Sequence, residues 1–379
     1  MNILTLYGSR IKILHRKNVG EKIYRDERDQ MIIVVLTIIL ALYGSMNWLI
    51  ARTFAKQWPN LAPFIYTLIA ILAICSLLVF VLQNRSTGAI IGIIGSYWIA
   101  VSFLGFVIYG IFLFIPKNTF WVSTILLICL LIAGIFQAER IQHTTYNIKL
   151  DKQTESFHIV LISDLHLGYV NGAKKLETIV ENVNELNPDA ILIAGDLFDS
   201  NFKAVQQTDR IKEALNSFEA KHGTYLAWGN HDAGDNFNMM KEFIEDTSLI
   251  LLEDEIDDAG PFYVIGRKDI RPIGDQGKNR ASIAPLLDSL NDDKPVLLMD
   301  HQPSNIDEYD ERVDLIVSGH THRGQIYPFN YITKAIFPID YGVLEKENGS
   351  YAIVTSGVGF WGPPIRLGTK SEIVSIQIN

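Results

Sequence analysis

The chain of 379 residues is long enough for two or three domains, and its apolar residues crowd into the first 138 positions. Residues 1–152 carry a net charge of +8 against −9 for the whole chain, which leaves −17 on residues 153–379. A domain that acidic repels phosphate backbones and argues against nucleic acid as a partner, although bound cations would reverse the local potential for a small anion. The two cysteines, Cys75 and Cys129, lie inside apolar runs, so the acidic part has neither a disulfide framework nor a thiolate metal site.

In chain order, residues 1–30 form a basic segment with seven cations: Arg10, Lys12, Arg16, Lys17, Lys22, Arg25 and Arg28. Four uncharged runs follow, at 31–51, 57–84, 86–116 and 118–138. Each offers roughly the 20 apolar residues that cross a bilayer core. Polar or turn residues separate them at 52–60, 83–88 and 116–119, and Trp48, Trp58 and Trp121 sit near their ends, as interfacial anchors do. A buried helical core is the alternative, and four uncharged runs in series speak against it. About 30 polar residues ahead of the first run are unlike a cleaved signal peptide. A four-helix transmembrane region at 31–138 is therefore expected. The runs hold no Asp, Glu, Lys, Arg or His, so an anchor is favoured over a transporter.

With four spans, the N-terminal cations and Arg85 share one side with the C-terminal domain, while Arg52, Lys56 and Lys117 face the other. Lys and Arg collect on the cytoplasmic side, which predicts an integral, multi-pass protein with a cytoplasmic C-terminal domain. An odd number of spans would make that domain extracytoplasmic.

Residues 139–156 read as a linker. Beyond it, strands are expected at 157–163, 190–194, 224–228, 295–299, 313–318, 351–355 and 372–378, and helices at 173–186, 210–218 and 281–290. Alternating strands and helices imply an α/β layered domain with much parallel pairing.

Five of these strands deliver Asp, Asn or His at their C-terminal ends, the edge where α/β sheets bind ligands. The blocks are Asp164-Leu165-His166, Gly195-Asp196-Leu197-Phe198-Asp199, Gly229-Asn230-His231-Asp232, Asp300-His301 and Gly319-His320-Thr321-His322. Five of the nine histidines fall in them. Carboxylate oxygen with imidazole nitrogen suits Mn, Fe, Zn or Co rather than calcium, and an Asp carboxylate can bridge two ions. Any one block is weak, since a lone GD after a strand is commonly a structural turn. Their joint order is specific.

Together the blocks resemble the signature of the calcineurin-like metallophosphoesterases, from about residue 157 to the C-terminus. The ending Ser356-Gly357-Val358-Gly359, Pro364-Ile365-Arg366-Leu367-Gly368 and Glu372-Ile373 is similar to the bacterial YkuE- and YaeI-type phosphodiesterases, a branch that often carries membrane or export segments. The resemblance implies a two-sheet β sandwich flanked by helices over 157–379 and two divalent metal ions, of Mn, Fe or Zn type. It places Asp164, His166 and His322 on the first ion and Asn230, His301 and His320 on the second, with Asp196 bridging. It implies attack of a metal-bridging hydroxide on a phosphate ester, a phosphodiester ahead of a monoester. His231 would be the general acid, with Asp232 orienting its imidazole. Asp199 is expected to tie a loop rather than bind metal, and Asp300 to stand behind the ligands.

Arg323 replaces a glycine of the branch pattern, as a solvent-facing side chain or as a grip on a second anionic group. Arg366 poses the same choice, with a structural role favoured. Arg267, Lys268 and Arg271 form a basic cluster expected to be a solvated loop, with an anionic head group as the alternative contact. A membrane anchor also makes a lipid or lipid-linked phosphoester a natural substrate, with a soluble phosphodiester as the second choice. The competing readings are a membrane scaffold with a relic site and a transporter fused to a non-catalytic metal domain. The complete ligand set opposes the first and the uncharged spans oppose the second.

Overall fold

The computed structural model describes residues 30–31, 33–78, 86–115, 119–150, 152, 155–233, 236–270, 280–290 and 294–379. The basic cations of residues 1–29, with Arg85, Lys117 and Arg271, lie outside the described residues. Each apolar run contains a helix: α1 (Ile33–Gln57), α2 (Ala62–Leu78), α3 (Ser86–Phe112) and α4 (Phe120–Glu139). All four are long and apolar enough to cross a membrane. Helix α1 departs from the expected break at 52–60 and continues through Arg52 and Lys56. A charge does not interrupt the backbone ladder, and the Arg52 guanidinium simply lies over the Trp48 ring, 5.1 Å from its centroid. The helix stops because Pro59 follows: Trp58, just before it, is driven out of helical torsions to φ −129°, ψ 75°.

The chain forms two compact units. One consists of the described residues up to Ala73 together with Ser102–Ser123. Inside it Ser102 Oγ donates to Asn47 Oδ1 at 3.2 Å, and Phe54 meets Tyr109 and Phe120 edge-on.

The other unit, Ile74–Val101 with Thr124–Asn379, holds the acidic domain. Its elements are β1 (Ile141–Ile148), β2 (Phe157–Ile162), α5 (Ala173–Asn184), β3 (Ala190–Ala194), α6 (Thr208–Asn216), β4 (Thr224–Ala227), α7 (Phe237–Glu245) and β5 (Ile250–Leu251). There follow β6 (Glu255–Asp258), β7 (Tyr263–Gly266), α8 (Ala284–Leu287), β8 (Val296–Met299), β9 (Leu315–Ser318), α9 (Asn330–Ile336), β10 (Gly342–Glu345), β11 (Tyr351–Val354) and β12 (Ser371–Ile378). The strands make two six-stranded sheets, ordered β1-β12-β2-β3-β4-β5 and β10-β11-β9-β8-β7-β6.

Strand alternation builds the layers. Ile159 and Leu161 of β2 join Leu192, Leu297, Leu315, Val317 and Val374 between the sheets, while Val160 and Ile162 face the apolar side of α5. This is the two-sheet sandwich flanked by helices, with the β2–β3–β4 and β8–β9 pairs parallel.

The expected linker at 139–156 contains β1. It pairs in parallel with β12, from Ile141 opposite Ser371 to Ile148 opposite Ile378. Its sequence, IQHTTYNI, is too polar to announce a strand, since half-burial at a sheet edge requires only intermittent apolar side chains.

Candidate metal centre

Strands β2, β3 and β4 of one sheet and β8 and β9 of the other end beside one another, and the five blocks occupy the loops that leave them. These loops turn sharply. Asp164, His166, Asp196, His320 and His322 all adopt positive φ, between 46° and 71°, a region that costs a non-glycine residue about 1–3 kcal/mol and is held only by its surroundings. Close approach does the holding. A Cβ on Gly319 would overlap Ser163 Oγ and Asp164 Oδ2, and one on Gly229 would overlap Asp196 Oδ1. His320 N donates to the Asp164 carboxylate at 3.1 Å, and His231 N donates to Asp196 Oδ1 at 2.7 Å.

The side chains converge in two groups of expected ligands, and His166, Asp199 and His231 make a third. Asp164, His166 and His322 each offer an atom within 4.8 Å of the others, and so do Asp196, His301 and His320. The Asp196 Oδ2 atom stands 3.1 Å from His301 Nε2 and 3.7 Å from His166 Nε2, so one carboxylate reaches both groups. Asn230 Oδ1 is 2.8 Å from His320 Nδ1, which adds it to the second group.

The donor set fits divalent cations. His166 Nε2 and His322 Nε2 face each other at 3.1 Å. Burial pushes both rings well below the ordinary imidazole value, so neither carries charge. Burial, with His301 alongside, likewise pushes His320 down to about 4. Burial opposes charge on the Asp196–His301 pair too, yet their mutual attraction outweighs it, holding Asp196 far below the usual carboxylate range and His301 well above the imidazole one. His301 Nδ1 lies 2.8 Å from Ala194 O, which it meets as a donor, and this turns Nε2 toward Asp196, where a bound cation would replace the Nε2 proton. A pair of neutral imidazoles and a carboxylate with its lone pairs gathered inward is the environment that Mn, Fe or Zn completes.

His231 lies at the mouth, 15 % exposed, with its ring centroid 5.1 Å from that of His166. Asp232 does not orient it. The Asp232 carboxylate is fully buried and accepts from the backbone N–H groups of Leu197, Phe198 and Gly229, at 3.2, 2.7 and 2.9 Å. Being adjacent in sequence, the two side chains leave the loop in different directions, and Asp232 clamps the β3 loop to the β4 loop. The partner of His231 Nδ1 is Ser200 Oγ at 2.5 Å, with Asp199 Oδ1 at 3.9 Å. Asp199 also stands 3.8 Å from His166 Nδ1. Ser200 was invisible to the sequence reading: it follows the Gly195–Asp199 block directly, but nothing in the chain says which imidazole it meets.

Of the remaining candidates, Arg366 touches the cluster, its Nη2 3.3 Å from His322 Nδ1. Asp300 accepts from Arg280 Nη2 and Tyr309 Oη, both at 2.7 Å. Arg267 is buried rather than solvated, donating to Ala281 O at 2.7 Å and pairing with Asp254 at 3.3 Å. Arg323 lies over the Tyr341 ring, 4.3 Å from its centroid. Arg366 is fully buried, and its Nη2 donates at 2.7 Å to Ser356 O and Gly359 O, a structural tie for the loop that closes over Asp164.

Two cavities open from this centre and share His231, Trp361 and Pro363. One, of about 420 Å³, runs past Asp196, His320 and His322 toward Phe329. The other, of about 460 Å³, runs past His166, Asp199 and Ser200 toward Tyr169 and Phe360. The sequence reading missed these aromatics, although a Gly- and Pro-rich loop carrying Phe360-Trp361 is itself a signal of a shaped site edge.

Comparison with known proteins gives the same assignment. A model of the calcineurin-like phosphoesterase family matches residues 157–324. An uncharacterized metallophosphoesterase of Aquifex aeolicus is 31 % identical over 244 residues, covering 62 % of this chain and 90 % of that one. One from Helicobacter pylori is 32 % identical over 237 residues, 61 % of this chain and 62 % of its own length, so the chain spans less than two thirds of that relative. A transmembrane protein with metallophosphoesterase domain from Danio rerio is 29 % identical over 243 residues, 61 % of this chain and 55 % of that one. The chain belongs to the calcineurin-like metallophosphoesterase family.

Proposed function

We propose that this protein is a membrane-anchored, metal-dependent phosphodiesterase. Asp164, His166 and His322 would hold one divalent ion, Asn230, His301 and His320 would hold a second, and the Asp196 carboxylate reaches both groups. The observation that carries this reading is the placement of Asp196 Oδ2 between His301 Nε2 and His166 Nε2, within reach of both groups. Two ions so held would supply Lewis acidity to a phosphoryl oxygen and would make a water ionisable at neutral pH.

The chain's own part is to bind, orient and donate a proton. The water oxygen joins phosphorus, the bond from phosphorus to the leaving alcohol breaks, and His231 gives that departing oxygen a proton. With Nδ1–H donating to Ser200 Oγ, Nε2 is the nitrogen turned to the substrate. The two cavities meeting at His231 favour a diester, because each ester substituent then has a cavity of its own, whereas a monoester would leave one idle.

The four apolar helices and the relative named as a transmembrane protein support a multi-pass anchor. The Lys and Arg bias of residues 1–30 supports a cytoplasmic catalytic domain. An anchor concentrates the enzyme with membrane-borne substrates, so a lipid-linked phosphoester falls within this reading.

The test is a hydrolysis screen of the purified full-length protein with Mn²⁺, comparing phosphomonoesters, aryl diesters, cyclic nucleotides and phospholipids. Diesters should be cleaved faster than the matched monoesters, and Asp196→Asn should abolish both activities. Turnover of monoesters alone would overturn the diester reading.

A further inference from the structure

The 460 Å³ cavity has an unusual wall. Besides His231, Tyr169, Phe360 and Trp361, it is lined by Ser96 and Ile99 of α3, one of the four apolar helices. The contact with α3 is close: a Cβ on Gly92 would stand 2.9 Å from Tyr169 Cδ2, so the tyrosine ring lies flush on the helix backbone. Helix α4 is fastened to the same region. Arg366 N donates to Gly134 O at 2.9 Å, Ser371 Oγ donates to Ala138 O at 2.7 Å, and Ile365 and Leu367 pack over Gly134. With 27 residues α3 is about 40 Å long, longer than the roughly 30 Å hydrocarbon core it would cross. The excess of about 10 Å is roughly seven residues, so Gly92 can stand at the membrane surface against the catalytic loops while Ser96 and Ile99 lie just inside the hydrocarbon core.

A second feature points the same way. Around α9 the domain exposes large apolar side chains: Tyr327, Tyr331, Ile332 and Ile336 are 58, 60, 54 and 65 % exposed. This patch is continuous with the segment resting on α4, since Tyr327 N donates to Leu367 O at 2.8 Å. Aromatic and aliphatic side chains of this kind, bared next to a membrane-crossing helix, suit the headgroup boundary of a bilayer.

We propose that the cavity between α3 and the Tyr169 and Phe360–Trp361 loops is the acyl-chain site for a membrane phospholipid phosphodiester. The lipid phosphate reaches the Asp and His cluster at one end, and its chain passes along Ser96 and Ile99 into the bilayer. Helix α9 rests in the headgroup layer beside it. The cavity suits an amphiphile: it offers Asp199, Ser200 and His231 as polar lining and Ile99, Val170 and Phe360 as apolar lining. This inference rests on the phosphodiesterase reading for the chemistry, but binding of the chain can be read separately.

Full-length protein in nanodiscs would be photolabelled with a phosphatidylglycerol carrying a diazirine in its acyl chain, in wild type and His231→Gln. Label should appear on peptides containing Ser96 and Ile99 or Tyr169 and Phe360 in both proteins, because it needs no turnover. Filling the cavity with Ile99→Trp, or with Ser96→Phe should the first variant fold poorly, should remove most of that label. The same variants should lower the ratio of hexadecyl to butyl 4-nitrophenyl phosphate turnover by about tenfold, the worth of a few buried methylenes. Label confined to other surfaces, or a chain-length ratio untouched by both variants, overturns the acyl-chain site even when both esters are cleaved. Label at the cavity that both variants remove, with neither ester cleaved, keeps the lipid site and overturns the hydrolase reading instead.

Discussion

Ser200→Ala isolates the role of a residue that only the fold connects to the site. Ser200 Oγ stands 2.5 Å from His231 Nδ1, and no carboxylate oxygen comes closer to that nitrogen than Asp199 Oδ1 at 3.9 Å among the described residues. Removing the hydroxyl deletes one hydrogen bond, with a net worth of about 0.5–1.5 kcal/mol. If the whole of that energy serves to hold the imidazole for proton donation, turnover falls roughly 2- to 12-fold. Replacing His231 itself by Gln removes the general acid and should cost about 10²–10⁴. The discriminating measurement is the double variant. In a His231→Gln background, Ser200→Ala should add nothing, because the ring it positions is gone. Diesters with 4-nitrophenolate as leaving group should lose less than diesters of simple alkanols in both single variants, since a good leaving group needs little protonation. Bound metal should be unchanged in each. A Ser200→Ala loss of equal size in the two backgrounds would refute the positioning role. An equal loss for good and poor leaving groups would reduce His231 to a phosphate contact.

Asp196→Asn should lower bound metal more than any other single ligand replacement, because its Oδ2 stands 3.1 Å from His301 Nε2 and 3.7 Å from His166 Nε2; elemental analysis finding two tightly held ions in that variant would remove the bridging role. Protease added to spheroplasts should leave the catalytic domain intact, and cleavage without permeabilisation would put the domain outside. Lys175 gives a pH dependence: burial, opposed by Glu139, pushes its ammonium down to about 8. Below that value folded and unfolded chains both bind the proton and the full cost of burying the charge is present. Between about 8 and the ordinary lysine value near 10.4 only the unfolded chain binds it, so Lys175 adds stability as pH rises. The advantage of Lys175→Met in thermal stability should therefore shrink between pH values of about 7 and 9.5; an unchanged gap would contradict the shift.

How far the sequence reaches can be judged residue by residue. The four apolar runs, the parallel strands and the seven Asp, Asn and His residues brought together here are written locally. A run of 20 apolar residues needs no partner to declare itself, and a hydrophobic strand ending in Asp-x-His or Gly-Asn-His-Asp places its polar residues at one edge whatever the strand order. Polar β1 escaped notice because its pairing with β12, more than 200 residues away, decides its state rather than its own composition. Side-chain direction was equally out of reach. Ser200 takes the place expected of Asp232 because neighbouring side chains in a tight loop diverge, and the crossing of the β3 and β4 loops determines which one meets the His231 ring. The same holds for the wall that Ser96 and Ile99 give the cavity. Sequence marks α3 as apolar, but its approach to Tyr169 depends on how the helix packs beside the domain, a contact between segments some 70 residues apart that no local pattern encodes.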